Sequence, residues 1–210
     1  MPDASSPPSV TKAVFVAALI SLLVTALRLY GEQHDWAPTV FNKSSGGGGS
    51  WLGITWLVLP FGFWFGRRLA QNGHRPASHG KALLLPIGGI VAAAGLGYLL
   101  MQSMPAGRPR GYAFVALSLA AGLCTFVAWR RAWFVLAFYG VLARLPVMLV
   151  QYESIRRGWD NHFAKGPPDS DPNDVLFLLT LAQATIWPFG WTVLAGGFCA
   201  AIGAASVRKR

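Results

Sequence analysis

The sequence predicts an all-α membrane protein, a polytopic bundle of about six transmembrane helices with both termini in the cytoplasm. Three observations predict this class. Of the 210 residues, 53% are apolar and 12% are charged, whereas soluble domains carry about 25% charged residues. Six apolar stretches approach the length of about 20 residues with which a helix crosses a bilayer. Basic residues cluster between these stretches, as in loops that set membrane topology.

One transmembrane domain, residues 13–207, is expected between a disordered tail at 1–12 and a basic tail at 208–210. The apolar stretches lie near residues 13–30, 51–66, 82–101, 112–129, 133–152 and 175–197. The net charge of +10 comes with no nucleic-acid-binding motif, so the expected partners are membrane lipids and not nucleic acid. No cofactor is expected. The predicted location is a cell membrane, specifically the inner membrane of a bacterium.

The first stretch has one alternative interpretation, a cleaved signal peptide. Val24-Thr25-Ala26 fits the small-residue rule for cleavage sites. Lys12 is the only basic residue before the stretch, and Arg28-Leu29-Tyr30 follows without the character of a mature domain. These features favour an uncleaved first span.

The second and third stretches carry different packing signals. The second is short, and Trp51, Trp56 and Trp64 are expected to anchor it in the membrane interfaces. The third contains "GGIVAAAGLG", in which small residues recur at four-residue spacing. Such spacing allows helices to approach closely, which predicts packing within the bundle and leaves a homo-oligomer contact, or one with another membrane protein, as the alternative.

The sixth stretch stays apolar as far as Val207. At a rise of about 1.5 Å per residue, a helix over 175–207 would be about 50 Å long, more than the bilayer core. We therefore expect it to tilt, protrude or bend, with a kink at Pro188. The pattern leaves open whether this segment is one kinked helix or two pieces.

Charge counting sets the orientation. An N-terminus in the cytoplasm places ten Lys and Arg residues on the cytoplasmic side and seven on the other side. Clusters such as Arg67-Arg68 and Arg130-Arg131 lie close to span ends, where charge counts most. Seven of the eight carboxylates fall in the first and fifth loops, which share the outer face in this topology. This face is the predicted working surface.

Arg144 is the strongest single candidate for function. It lies inside the fifth stretch, where a charged side chain costs at least about 2.5–3.5 kcal/mol on the insertion scale. Its guanidinium is therefore expected to face protein or water, with Gln183, Tyr139 or an outer-loop carboxylate as acceptor and with Arg28 completing a polar pocket. Two interpretations stay open: a structural tie, or a site for an anionic ligand.

The segment "NKSSGGGGS" in the first loop suggests a second anion site. Successive glycines expose backbone N–H groups, and a helix N-terminus attracts anions. The candidate residues are Lys43, Ser44, Ser45, Gly46 and Gly47. The spacing is not that of a phosphate-binding P-loop, because no Lys-Ser or Lys-Thr follows the glycines. The favoured interpretation is a pliable joint that binds nothing, with Ser50 as the N-cap of the next helix, and binding of an anion or a lipid headgroup is the alternative.

The acidic loops also contain a weak metal-site candidate. His34 and Asp35 in the first loop are expected to meet Asp160 and His162 in the fifth, and two imidazoles with two carboxylates suit a divalent metal. No fixed ligand spacing supports this site, so an interfacial structural role is favoured.

Three functions follow from these features. The favoured one is a membrane scaffold or assembly subunit, because no catalytic spacing is present. The first alternative is a small transporter or channel that uses Arg144 for an anionic or amphipathic solute. The second is a membrane enzyme acting on lipid headgroups at the outer face.

Overall fold

The computed structural model describes residues 9–44, 52–166 and 171–208, and this part of the chain is helical without strands. Six helices occur in it: α1 Val10–Gln33, α2 Ile54–Gln71, α3 His79–Ser103, α4 Arg108–Ala128, α5 Arg130–Arg157 and α6 Pro172–Ala205. All of them except α2 are long and apolar enough to cross a membrane. The prediction of a polytopic helical membrane protein is confirmed.

The helix ends differ from the predicted boundaries where a cap or a polar turn extends the helix. α1 begins at Val10, inside the predicted tail, because the Ser9 hydroxyl accepts a hydrogen bond from the Lys12 amide at 3.2 Å. It also continues to Gln33 and so includes Glu32. α2 is 18 residues long, and Arg67 and Arg68 in its last turns lower its mean hydropathy.

α6 is one continuous helix with an irregular centre. Regular α-helix over Pro172–Leu181 passes into a π-helical segment over Ala182–Thr192 and returns to α-helix over Val193–Ala205. The expected irregularity at Pro188 thus takes the form of a widened helix around the proline, which has no N–H to donate. π-Helical segments are rare and frequently occur at functional sites.

Close contact between α2 and the C-terminal half of α6 forms the densest part of the bundle. A Cβ atom on Gly62 would lie 2.5 Å from the carbonyl oxygen of Gly196, and one on Gly66 would collide with that of Ala200. These glycines form a G-x-x-x-G pair on α2, the spacing that lets two helix backbones touch. Beside this contact, Phe65 and Leu136 are fully buried in the main apolar core.

The small residues of α3 divide between two environments. A Cβ atom on Gly89 would crowd Leu194 and Cys124, and one on Gly97 would crowd Phe114. These contacts confirm packing inside the bundle. Gly88 and Gly95 face open space, with nothing within 4 Å.

One end of the bundle holds one end of each of the six helices. α1, α3 and α5 end there, whereas α2, α4 and α6 begin there. We call it the acidic-loop end, since it holds the described residues of the two acidic loops, 34–44, 52–53, 158–166 and 171. The two acidic loops therefore share one face, as expected.

Candidate functional site: a cationic cavity at the acidic-loop end

A cavity of about 280 Å³ opens between the helices at the acidic-loop end. Its described wall combines three cationic side chains with apolar and amide groups, and none of these wall residues is a carboxylate. The wall is formed by Val24, Thr25, Arg28, Gly53, Ile54, Thr55, Arg144, Val147, Gln151, His162, Phe163, Lys165, Leu179, Gln183 and Trp187.

Arg144 lies inside the bundle, as its position in an apolar helix requires. Only 5% of the residue is exposed. Its Nη1 donates to Oε1 of Gln183 at 3.1 Å, and its guanidinium carbon lies 4.7 Å from the centre of the Trp187 ring. Both partners belong to the π-helical segment of α6. The predicted Gln183 contact is thus present.

The other terminal nitrogen of Arg144, Nη2, is buried and makes no hydrogen bond to any described residue. The cation–π contact with Trp187 compensates part of the charge, and no carboxylate pairs with Arg144 within the described chain. An incompletely compensated buried cation costs free energy, so this site favours an anion.

Arg144 also lies deep in the bundle. α5 runs from Arg130 to Arg157, so Arg144 is 14 residues from its start and 13 from its end. At about 1.5 Å per residue, it lies about 20 Å from either end of the helix. The cavity thus connects the acidic-loop end to a cation near the middle of the span.

Gln151 is a second polar group in the wall with an unused atom. It follows Arg144 by two turns of α5, nearer to the acidic-loop end. The residue is 3% exposed, and its Oε1 is buried without a hydrogen-bond partner among the described residues. Two residues of the wall thus carry a buried polar atom without a hydrogen-bond partner among the described residues, a donor on Arg144 and an acceptor on Gln151.

A buried ionic group closes one side of the cavity. Glu32 is fully buried and accepts from Nε of Arg28 at 2.9 Å. It also accepts from the backbone amide of His162 at 2.9 Å and lies 2.6 Å from Nδ1 of that ring. The pair between Arg28 and Glu32 has the i,i+4 spacing of neighbours on a helix, whereas His162 joins from a loop distant in sequence.

The surroundings of His162 favour the neutral form of its imidazole ring. Burial lowers the pKa of the imidazole, and the nearby Arg28 lowers it further, whereas the hydrogen bond to Glu32 opposes both effects. With the Nδ1 proton directed to the carboxylate, the neutral ring carries its lone pair on Nε2.

Arg28 also ties down the first loop. Its Nη1 donates to the carbonyl of Leu52 at 3.0 Å and its Nη2 to that of Asn42 at 3.5 Å. One side chain thus holds both sides of the glycine run, of which Ser45, Gly46 and Gly47 lie outside the described residues. Ser44 bonds to the side chain of Asn42 and is exposed.

The four residues predicted as a weak metal site contact other side chains instead of forming a common site. Asp35 and Asp160 do meet, but they meet at Lys43, whose Nζ lies 2.6 and 3.6 Å from them. Asp35 raises the pKa of Lys43, while Lys165 lowers the pKa of Asp160. His34 stacks on Tyr30, and His162 is bound to Glu32. Within the described chain, no three His, Cys, Asp or Glu residues form a group suited to a metal ion.

Sequence reasoning missed several residues of this site, among them Glu32, Gln151 and Trp187. Glu32 had a usable signal, the i,i+4 spacing from Arg28. Gln151 follows Arg144 at seven residues, which places both on one helix face. Trp187 follows Gln183 by four residues, a spacing that places both on one helix face.

No protein-family model matches the chain, and no curated protein or solved structure shows significant similarity to it.

Proposed function

We propose that the protein binds a small anionic solute in the cationic cavity and acts as a small transporter or channel for it. The buried, unpaired Nη2 of Arg144 carries this proposal. An anion that reaches Arg144 supplies the missing hydrogen-bond acceptor and the missing countercharge together. We propose a bacterial inner membrane as the location, with the acidic-loop end outside.

The depth of Arg144 favours a solute over a bilayer lipid. Lipid phosphates lie at the membrane surface, whereas Arg144 lies about 20 Å from either end of α5. A cavity of about 280 Å³ is also at the small end of ligand pockets, which span about 300–1,000 Å³. A solute entering from the acidic-loop end suits both features, and a site near the bilayer midplane is typical of transporters.

Anion-dependent thermal stabilisation tests the proposal. The purified protein in detergent is heated with increasing phosphate, glycerol 3-phosphate or gluconate, and the apparent melting temperature is measured. We expect at least one anion to stabilise the wild type, because a ligand that binds only the folded state raises its stability. Anionic phosphatidylglycerol in nanodiscs provides the lipid comparison.

Variants of Arg144 assign the effect to this residue. Arg144→Met should weaken anion binding about tenfold or more, as expected for a lost charged hydrogen bond of about 1.5–3 kcal/mol. Arg144→Lys should bind weakly, since an ammonium lacks the planar fork of the guanidinium. Arg156→Met removes an exposed charge at the same end and is the matched control. The proposal fails if no anion stabilises the wild type, or if Arg144→Met responds as the wild type does.

A second candidate is a membrane enzyme acting on headgroups or on the bound anion, and the pair of Glu32 and His162 favours it. A neutral imidazole with its Nδ1 proton fixed by a carboxylate is suited to act as a general base through Nε2. Mass analysis of phosphatidylglycerol after incubation with the protein tests this candidate. Conversion that depends on His162 would favour an enzyme over a transporter.

The scaffold hypothesis predicts co-purification of a defined partner chain. No feature of the described residues specifies the chemistry of such a partner, so the scaffold stays a prediction from the sequence.

A further inference from the structure

The unpaired atoms of Arg144 and Gln151 place two different demands on whatever enters the cavity. Nη2 of Arg144 is a donor and requires an acceptor, whereas Oε1 of Gln151 is an acceptor and requires a donor. Both residues line the same cavity and are at least nine-tenths buried. A simple anion satisfies the first demand and leaves the second unmet.

From these two demands we infer that the solute is a hydroxylated anion, such as a polyol phosphate or a sugar acid, with Gln151 as the residue that selects for its hydroxyl group. This inference rests on the proposed anion site at Arg144. Leaving a buried polar atom unpaired costs free energy. A ligand hydroxyl that donates to Gln151 removes this cost, and a ligand without one does not.

The charge of the cavity favours a hydroxyl group over an ammonium group as the donor. Arg28, Arg144 and Lys165 line the wall, and its described part contains no carboxylate. The nearby Glu32 is fully buried and is engaged by Arg28 and His162. A second cation on the ligand would therefore meet repulsion, whereas a neutral hydroxyl group would not.

The order of the two groups along α5 sets the orientation of the ligand. Gln151 follows Arg144 by seven residues, which is about 10 Å along a helix axis. It lies nearer to the acidic-loop end. The anionic group therefore enters first and binds deep, and the hydroxylated end stays towards the mouth. An extended chain of three to six carbons suits this separation.

Matched ligand pairs test the inference directly. Glycerol 3-phosphate is compared with n-propyl phosphate, and gluconate with hexanoate, by titration calorimetry on the full chain in detergent. The two pairs separate phosphate from carboxylate as the anionic group. For at least one pair, we expect the wild type to bind the hydroxylated member about 5–10-fold more tightly, the gain typical of one hydrogen bond.

Gln151→Met identifies the selecting residue. It keeps the length of the side chain and removes the unpaired oxygen, so the fold should be retained, which the melting temperature without ligand checks. In this variant, we expect the ratio of the affinity for the hydroxylated ligand to the affinity for its unhydroxylated partner to fall close to one. The affinity for n-propyl phosphate or hexanoate should stay as in the wild type. Gln102→Leu, an exposed glutamine at the end of α3, is the control and should keep the preference.

The outcomes separate the two proposals. If both members of a pair bind through Arg144 but equally well, or if Gln151→Met keeps the preference, the hydroxyl inference is wrong and the anion site stands. If neither member of either pair binds but phosphate stabilises the wild type, the hydroxyl inference is wrong and the anion site stands. If phosphate does not stabilise it either, both proposals fail.

Discussion

The buried guanidinium of Arg144 on α5 donates from Nη1 to Oε1 of Gln183 on α6 at 3.1 Å. Gln183 and Trp187 both belong to the π-helical segment Ala182–Thr192, and Trp187 lies against the same guanidinium. The irregular part of α6 is thus the part that meets the buried charge. This relationship joins the proposed anion site to the one long departure from regular α-helix in the described chain.

Gln183→Leu should destabilise the protein, because it removes the hydrogen bond that holds Arg144. A hydrogen bond to a charged group contributes about 1.5–3 kcal/mol. A double-mutant cycle with Arg144→Met, measured by denaturant unfolding in mixed micelles, isolates the pair. We expect Gln183→Leu to cost much less when Arg144 is already methionine. Equal costs in both backgrounds would show that the two side chains are not coupled.

Gly66→Ala should destabilise the bundle, because the added Cβ collides with the carbonyl oxygen of Ala200 on the facing helix. Overpacking of this kind costs about 1–3 kcal/mol. Gly88→Ala is the matched control, since no atom lies within 4 Å of its added Cβ and alanine favours a helix over glycine. The melting temperatures of the two variants should therefore move in opposite directions. Equal destabilisation would contradict the close contact between α2 and α6.

The membrane orientation is predicted from charge and is tested by reporter fusions. Fusions after Gly73 and Arg210 should report the cytoplasm, and a fusion after Pro168 should report the opposite side. Ten basic residues against seven favour this orientation. A cytoplasmic signal from the fusion after Pro168 would reverse it and would place the mouth of the cavity inside the cell.

How far the sequence predicts this molecule depends on the range of each interaction. Helix positions follow from apolar length, which is local, and the inward position of Arg144 follows from the cost of exposing a charge to lipid. Gln183 is one of the acceptors that the sequence offers to Arg144, beside Tyr139 and an outer-loop carboxylate, and it is the one that accepts its hydrogen bond. The approach of His162 to Glu32, 130 residues away in sequence, depends on loop folding that no local pattern records. The π-helical part of α6 lies where this helix packs against α4 and α5, contacts between segments that are distant in sequence.

Acidification should destabilise the protein through His162. Its pKa is lowered in the folded protein from the ordinary value of 6.5, chiefly by burial. As the pH falls below about 6.5, the unfolded chain therefore takes up the proton before the folded protein does, and stability decreases. Above that pH the contribution is fully present. Thermal unfolding between pH 5 and 8 measures the effect.

His162→Asn separates this titration from other acid effects. Asparagine presents an amide N–H donor to Glu32 in place of Nδ1 but does not titrate. We expect the variant to lose part of the decrease in stability below about pH 6.5. His34→Asn, at an exposed histidine at the end of α1, should keep the wild-type profile. An unchanged profile for His162→Asn would place the pH dependence elsewhere.

Two Arg–Glu pairs with the same i,i+4 spacing give a direct comparison of buried and exposed charge. Arg28 and Glu32 are buried, with side-chain exposures of 9% and 0%, whereas Arg157 and Glu153 have 61% and 39%. Glu32→Gln should destabilise the protein by about 3–5 kcal/mol, the usual cost of breaking a buried ion pair. The new amide group also directs its own N–H donor towards the two N–H groups of His162, which require an acceptor.

Glu153→Gln makes the same chemical change in the exposed pair and should leave the unfolding free energy almost unchanged, because water screens that pair. Since Arg28 also holds the carbonyls of Asn42 and Leu52, loss of Glu32 should loosen the first loop as well. Faster proteolysis within residues 42–52 of Glu32→Gln, compared with Glu153→Gln, would report this. If the two variants unfold alike and are cleaved alike, the buried group does not organise the mouth of the cavity.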